Sequence, residues 1–196
     1  MNPLLPEEAQ RNLILASRSP RRRDILRRLD FEFEIIPARE HVEDEASCDD
    51  PFERPEVRAR LKAADVSSRH PDAIVIGADT VVIIDGDVLE KPSDDGESIR
   101  FLRRLSGREH TVVTGVAVRR DSNGLDLGAR EETKVRFRKL TDTEVLRYVA
   151  SGEGRGKAGS YAVQGLGAGL VRSINGCFYN VVGLPVSLLF DLLRKV

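Results

Sequence analysis

Apolar residues in this chain come in short runs divided by turn residues, and the period of each run predicts an element. Leu13 to Leu15 is an apolar run that ends in small and polar residues, Ala16 to Ser19, before Pro20. This predicts a buried strand, a tight turn and a helix entered at a proline. Residues 31–37, FEFEIIP, alternate and predict a second strand. A helix is expected from about Pro55 to Arg69, stopped by Pro71. Residues 73–79, AIVIGAD, read as a short buried strand. Residues 81–91 read as a hairpin about Asp85-Gly86. Glu97–Leu105 places Ile99, Leu102 and Leu105 on one helical face, closed by Gly107. Two long strands, 110–120 and about 129–138, are joined by DSNGLDLG. A capping box of Thr141 and Glu144 opens a helix to Ala150, and an amphipathic helix from Pro185 closes the chain.

Strands alternating with helices, plus at least one long hairpin, define an α/β protein with a mixed sheet and flanking helices. Residues 1–12 read as an N-terminal tail. Residues 13–196 read as one domain, with room for two lobes around a cleft. A net charge of −1 argues against a broad nucleic-acid-binding surface. The apolar runs are too short to span a membrane, and the N-terminus lacks a signal-peptide core. Cys48 and Cys177, far apart in sequence, read as reduced thiols of a cytoplasmic protein. Three histidines without metal-ligand spacing argue against a zinc enzyme.

Against this neutral background one cluster stands out. Six arginines, at 18, 21, 22, 23, 27 and 28, crowd into eleven residues, and three of them, Arg21 to Arg23, open the first helix. Cations at a helix N-terminus oppose its dipole unless an anion binds there. A strand-to-helix turn with Ser17, bare N–H groups and arginines is a place for phosphate. Seven acids between Glu40 and Glu53 mark an irregular, mobile loop. Asp79, at the end of the strand AIVIGAD, can hold a divalent cation, take a proton from water, or simply cap a turn. Lys91 ends the hairpin and can reach back toward phosphate or stay solvated. Lys62 lies on a helix otherwise served by arginines and reads by default as part of a solvated face. Residues 151–165, SGEGRGKAGSYAVQG, allow close approach of a ligand or merely a flexible loop, and contain no P-loop pattern. Gln164 there carries an amide able to pair with a base edge, and His110 between two strands reads as structural.

Six ordered blocks resemble the Maf family of nucleotide pyrophosphatases. They are LILASRSPRRRDIL, IGADTVV, GDVLEKP, LSGREHTVVTGVAV, YVASGEGRGKAGSYAVQGLG and INGCFYNVVGLP, and the likeness runs from about Leu13 to Leu193. The resemblance implies hydrolysis of a nucleoside triphosphate to monophosphate and pyrophosphate with a divalent metal, magnesium or manganese. It implies two lobes similar to inosine-triphosphate pyrophosphatases, and a homodimer. Asp79 takes the family's catalytic acidic position. Ser17, Arg22, Lys62 and Lys91 match its phosphate- and metal-site positions. Arg21, Thr80 and Gln164 match the branch acting on dTTP and UTP. The family's acidic position after the second strand falls on Val42-Glu43-Asp44 or one residue later; Asp44 is favoured, with Glu45 as the alternative, and Asp44 and Asp79 are the expected metal ligands. Gly156 replaces the family's acid before Lys157. Two other readings are a non-catalytic nucleotide-binding regulator of cell division and a pyrophosphatase for a modified purine triphosphate.

Overall fold

The computed structural model describes residues 2–196. Its first half is built by two crossovers. Strand β1 (Leu13–Leu15) leads through helix α1 (Pro20–Arg28) to β2 (Phe33–Ile35), and through α2 (Arg54–Ser67) to β3 (Ile74–Ile84). Both neighbours of β1 run parallel to it, Leu15 facing Ile35 on one side and Ile76 on the other. The remaining strands are β4 (Asp87–Leu89), β5 (Glu109–Arg120), β6 (Leu125–Phe137) and β7 (Val171–Asn175). The sheet has seven strands in the order β2-β1-β3-β5-β6-β7, with β4 pairing β3. The β3/β4 and β6/β7 pairs are antiparallel, so the sheet is mixed. Helices α3 (Asp95–Leu105), α4 (Asp142–Ala150), α5 (Phe178–Val182) and α6 (Val186–Leu193) complete the chain.

Two compact units result. Unit 1 gathers the chain up to Asp79, Thr114–Glu131 and Gly183–Val196; unit 2 gathers Thr80–Val113 and Glu132–Val182. The segments interleave, so no single cut of the chain separates them. The segment before β1, expected to be a tail, is packed in unit 1. Ala9 and Gln10 are buried, and the Gln10 amide donates to the carbonyls of Asn2 and Leu5.

In unit 1, Ala59, Ala63 and Val66 recur at helical spacing on α2 and join Ile14, Ala16 and Val75 in one core. Gly77 makes that close packing possible. A Cβ there would lie 2.2 Å from the Ala59 carbonyl oxygen and 3.0 Å from the Ala63 nitrogen. Gly77→Ala is therefore expected to push α2 off β3 and cost about 1–3 kcal/mol, as overpacking does. The urea midpoint of unfolding checks this, and an unchanged midpoint would show that α2 moves freely.

In unit 2, Asp94 caps α3 by accepting the Glu97 N–H (2.7 Å), and the Thr141/Glu144 capping box opens α4. Asp85 and Gly86, both at positive φ, turn the β3/β4 hairpin as the sequence predicts. His110 is buried against Phe137 and Tyr161, its Nε2 2.8 Å from the Tyr161 hydroxyl. Burial pulls its pKa down to about 4, so it is neutral at physiological pH. Cys48 and Cys177 are free thiols.

The boundaries differ from the sequence reading in places. β3 does not stop at Asp79; it runs unbroken to Ile84. Thr80, Val81, Val82, Ile83 and Ile84 are all β-branched, and no breaker precedes Asp85-Gly86. β6 begins at Leu125, before the expected 129, and β7 emerges from the glycine-rich region. The acidic loop contains a one-turn 3₁₀ helix, Val42–Glu45.

Candidate active site

The end of the β1/β3 ladder sets the stage. The Ala16 N–H donates to the Ile76 carbonyl (2.8 Å), which places Ser17 beside Ala78 where α1 begins. Arg22, in the first turn of α1, points back into this corner and is buried. Its Nη1 donates to the Ser17 hydroxyl (3.1 Å) and the Ala78 carbonyl (2.9 Å), and its Nε donates to the Gly183 carbonyl (2.7 Å). Desolvation lowers its pKa to about 10 against the upward pull of the Asp79 and Glu43 carboxylates. The guanidinium stays charged at neutral pH. No acid stands in the first turn of α1.

Asp79 follows Ala78 directly. Lys62 on α2 donates to its Oδ1 at 2.7 Å, and Arg58 Nη1 lies 3.7 Å from its Oδ2. Arg58 and Lys62 are four residues apart on α2, one turn along the same face. Lys62 also pairs with Glu43. The lysine is only 11% exposed and Asp79 12%, so this is an enclosed ion cluster, not a solvated helix face. Charges so shielded interact more strongly than surface pairs.

Glu43 replaces Asp44 as the acid that meets the cluster. The Asp44 carboxylate lies 2.9 Å from His41 Nδ1 and is 66% exposed. The physical reason is the 3₁₀ turn. Successive residues there point about a third of a turn apart, so only one of three adjacent acids can face α2. Asp65 fixes the approach of this loop. Its carboxylate, 1% exposed, accepts the Arg39 backbone N–H at 3.0 Å and pairs with the Arg39 and Arg69 side chains.

The structure thus brings Ser17, Arg22, Lys62 and Asp79 together in unit 1 and adds Arg58 and Glu43, which the sequence reading did not single out. Four-residue spacing from Lys62 was the available signal for Arg58. Arg21 is half-buried at the start of α1, and its charge is felt by Arg22. In unit 2, Thr80 is half-buried in β3, Lys91 is exposed just past β4, and Gln164 is half-buried. Gln164 precedes a 3₁₀ turn, Gly165–Leu170, without capping it.

No group of three or more His, Cys, Asp or Glu side chains converges among the described residues. Glu43 and Asp79 nevertheless share one cation, Lys62 Nζ. Two carboxylates fit a magnesium-type ion, which takes one or two protein oxygens and leaves its other positions to water and phosphate.

Arginines and a lysine gathered around a near-buried carboxylate have the charge arrangement that phosphoanhydride chemistry needs. Residues 12–196 match the family described as Maf-like protein, and the chain belongs to that family. A protein of Pelotomaculum thermopropionicum named dTTP/UTP pyrophosphatase is 48% identical over 185 residues, covering 94% of this chain and 96% of that one. Relatives with the same name come from Ruminiclostridium cellulolyticum (42% over 188 residues, 95% of this chain and 96% of that one) and Deinococcus radiodurans (43% over 190 residues, 97% and 95%). Among solved structures, a HAM1 protein from Coxiella burnetii aligns with a TM-score of 0.44 at 17% identity, over 64% of this chain and 72% of that chain.

Proposed function

We propose that this protein hydrolyses dTTP and UTP to the monophosphate and pyrophosphate by attack of water at the α-phosphorus. The enclosed cluster of Asp79, Lys62, Arg58 and Glu43 carries the reading. Asp79 is a carboxylate within reach of two cations, placed to take a proton from the attacking water. Lys62 and Arg58 offset the charge that builds on the phosphate oxygens as the bond to pyrophosphate breaks. By the family resemblance, Ser17, Arg21, Arg22 and Lys91 are assigned to the triphosphate, and Gln164 to the base. A divalent cation held by Glu43 and Asp79 would polarise the phosphate oxygens when bound. We further infer a cytoplasmic homodimer from the family resemblance. No described helix is long and apolar enough to cross a membrane.

The test is kcat/KM for pyrophosphate release from dTTP, UTP, CTP, ATP and GTP with magnesium or manganese. We expect dTTP and UTP to lead. Gln164 offers both a donor and an acceptor, which suits the O4/N3–H edge of thymine or uracil; cytosine reverses that pattern. A buried polar group left unpaired costs about 1–3 kcal/mol. Gln164→Ala should therefore narrow the UTP-to-CTP ratio by roughly ten-fold or more, one factor of ten per 1.4 kcal/mol. Equal losses on every base would remove Gln164 from base recognition.

A further inference from the structure

The segment that carries Gln164 is glycine-rich, yet it is held at defined points by a polar network within unit 2. Glu153, just past the end of α4, reaches across the turn with both carboxylate oxygens. Oε1 accepts the Leu166 N–H at 2.8 Å, and Oε2 accepts the Gly167 N–H at 2.8 Å. The Tyr148 hydroxyl on α4 donates to the same Oε2 at 2.9 Å and accepts the Ala162 N–H at 3.1 Å. Backbone groups on both sides of Gln164 are therefore tied to α4 through two side chains. Tyr148 is buried, and Lys157 donates to the Glu153 carbonyl, closing the turn from the other end.

Two further observations point the same way. Gly165 sits at φ +71°, a conformation that favours glycine, and a Cβ there would stand 2.2 Å from Glu153 Oε1, so a side chain after Gln164 would have to displace this carboxylate. Burial pushes the Glu153 carboxyl up, but the two amides, the tyrosine hydroxyl and the Lys157 charge outweigh it and hold it below the ordinary glutamate range. It is an anion whose acceptor capacity is directed at the Gln164 segment.

We propose that Glu153, steadied by Tyr148, is the positioning residue that fixes how Gln164 is presented and so sets the base preference. This rests on the reading of Gln164 given above. A side-chain amide meets the same base edge in each encounter only if the backbone that carries it is held in place, and Glu153 supplies that hold. It touches neither phosphate nor base in this role.

The experiment compares wild type, Glu153→Gln, Tyr148→Phe, Gln164→Ala and the double variant Glu153→Gln/Gln164→Ala. Three quantities are read: the UTP-to-CTP ratio of kcat/KM, the amide hydrogen exchange of Leu166 and Gly167, and the melting temperature. Glutamine keeps one acceptor oxygen but turns an NH₂ toward a backbone N–H, so two donors meet. The expected result is a five- to fifty-fold narrowing of the ratio in Glu153→Gln and at least ten-fold faster exchange at the two amides. The double variant should have the same ratio as Gln164→Ala alone, because both act through one contact. Tyr148→Phe should give a smaller narrowing, and it carries the test if Glu153→Gln does not fold. If Gln164→Ala narrows the ratio while folded Glu153→Gln keeps the wild-type value, the positioning role is overturned and the base reading survives. If Gln164→Ala leaves the ratio unchanged and Glu153→Gln narrows it, base recognition by Gln164 fails and the proposal fails with it as stated. Unchanged ratios in both overturn both.

Discussion

Asp79→Asn should fold and lose about 10²- to 10⁴-fold in kcat, the usual worth of a positioned acid–base group. The substitution is nearly isosteric, so the packing of β3 against α2 is kept. Asn retains an oxygen for the Lys62 donor that now sits 2.7 Å from Oδ1. Lys62 also retains Glu43, so the lysine charge is not orphaned. What disappears is the ability to take a proton and half of the carboxylate pair available to a cation. The amide NH₂ would turn a weak positive end toward Arg58, 3.7 Å away, which costs little at that distance. Stability and activity therefore separate in this variant. The check is pyrophosphate release measured beside the thermal midpoint, with the metal titrated. Near-native turnover with unchanged metal dependence would falsify the role of Asp79 as proton acceptor.

The site was legible where one residue type does one thing at a fixed spacing. The strand-turn-helix at Ser17 to Arg22 could be read because a proline, a serine and arginines at a helix start allow few other structures. Asp85-Gly86 and the Thr141/Glu144 box were legible because turn and cap chemistry is local. What escaped was decided over long range. Asp79 looked like a strand terminus because Asp disfavours strands, but pairing of β3 with β1 and β4 overrides that preference. Lys62 looked solvated because its neighbours in sequence say nothing about the carboxylates that α2 meets in space. The choice of Glu43 over Asp44 depends on the rotation of one 3₁₀ turn, which the Asp65 contacts help set and which no spacing rule records. Glu153 was hidden in a run of glycines, where the informative fact is which backbone N–H groups its oxygens meet.

Arg22 shows how the structure changes an expectation while keeping its residue. From sequence, the arginines at the start of α1 form a phosphate site, and Arg22→Ala should weaken triphosphate binding. In the fold, Arg22 is also a brace. It ties α1 to the Ala78 carbonyl beside Asp79 and to the Gly183 carbonyl before α6. Truncation leaves those two carbonyls and the Ser17 hydroxyl without this partner in a buried corner. At about 1–3 kcal/mol for each buried group left unpaired, and with water able to enter the space vacated, the expected loss is about 2–5 kcal/mol. That is a large part of a domain's typical 5–15 kcal/mol. Arg27, exposed a turn further on, should change stability by no more than about 0.5 kcal/mol when replaced by Ala. Arg22→Lys keeps the charge but cannot span three acceptors with one ammonium, so it should fall between the two. Denaturant unfolding of the three variants, read beside KM and kcat at a temperature where each is folded, separates the roles. A brace lowers the unfolding midpoint and, by loosening Ala78, lowers kcat. A substrate ligand alone raises KM in a protein of wild-type stability. The geometry calls for the first pattern, with any rise in KM added to it, and a fully stable Arg22→Ala with only KM altered would show that the three hydrogen bonds contribute nothing to the fold.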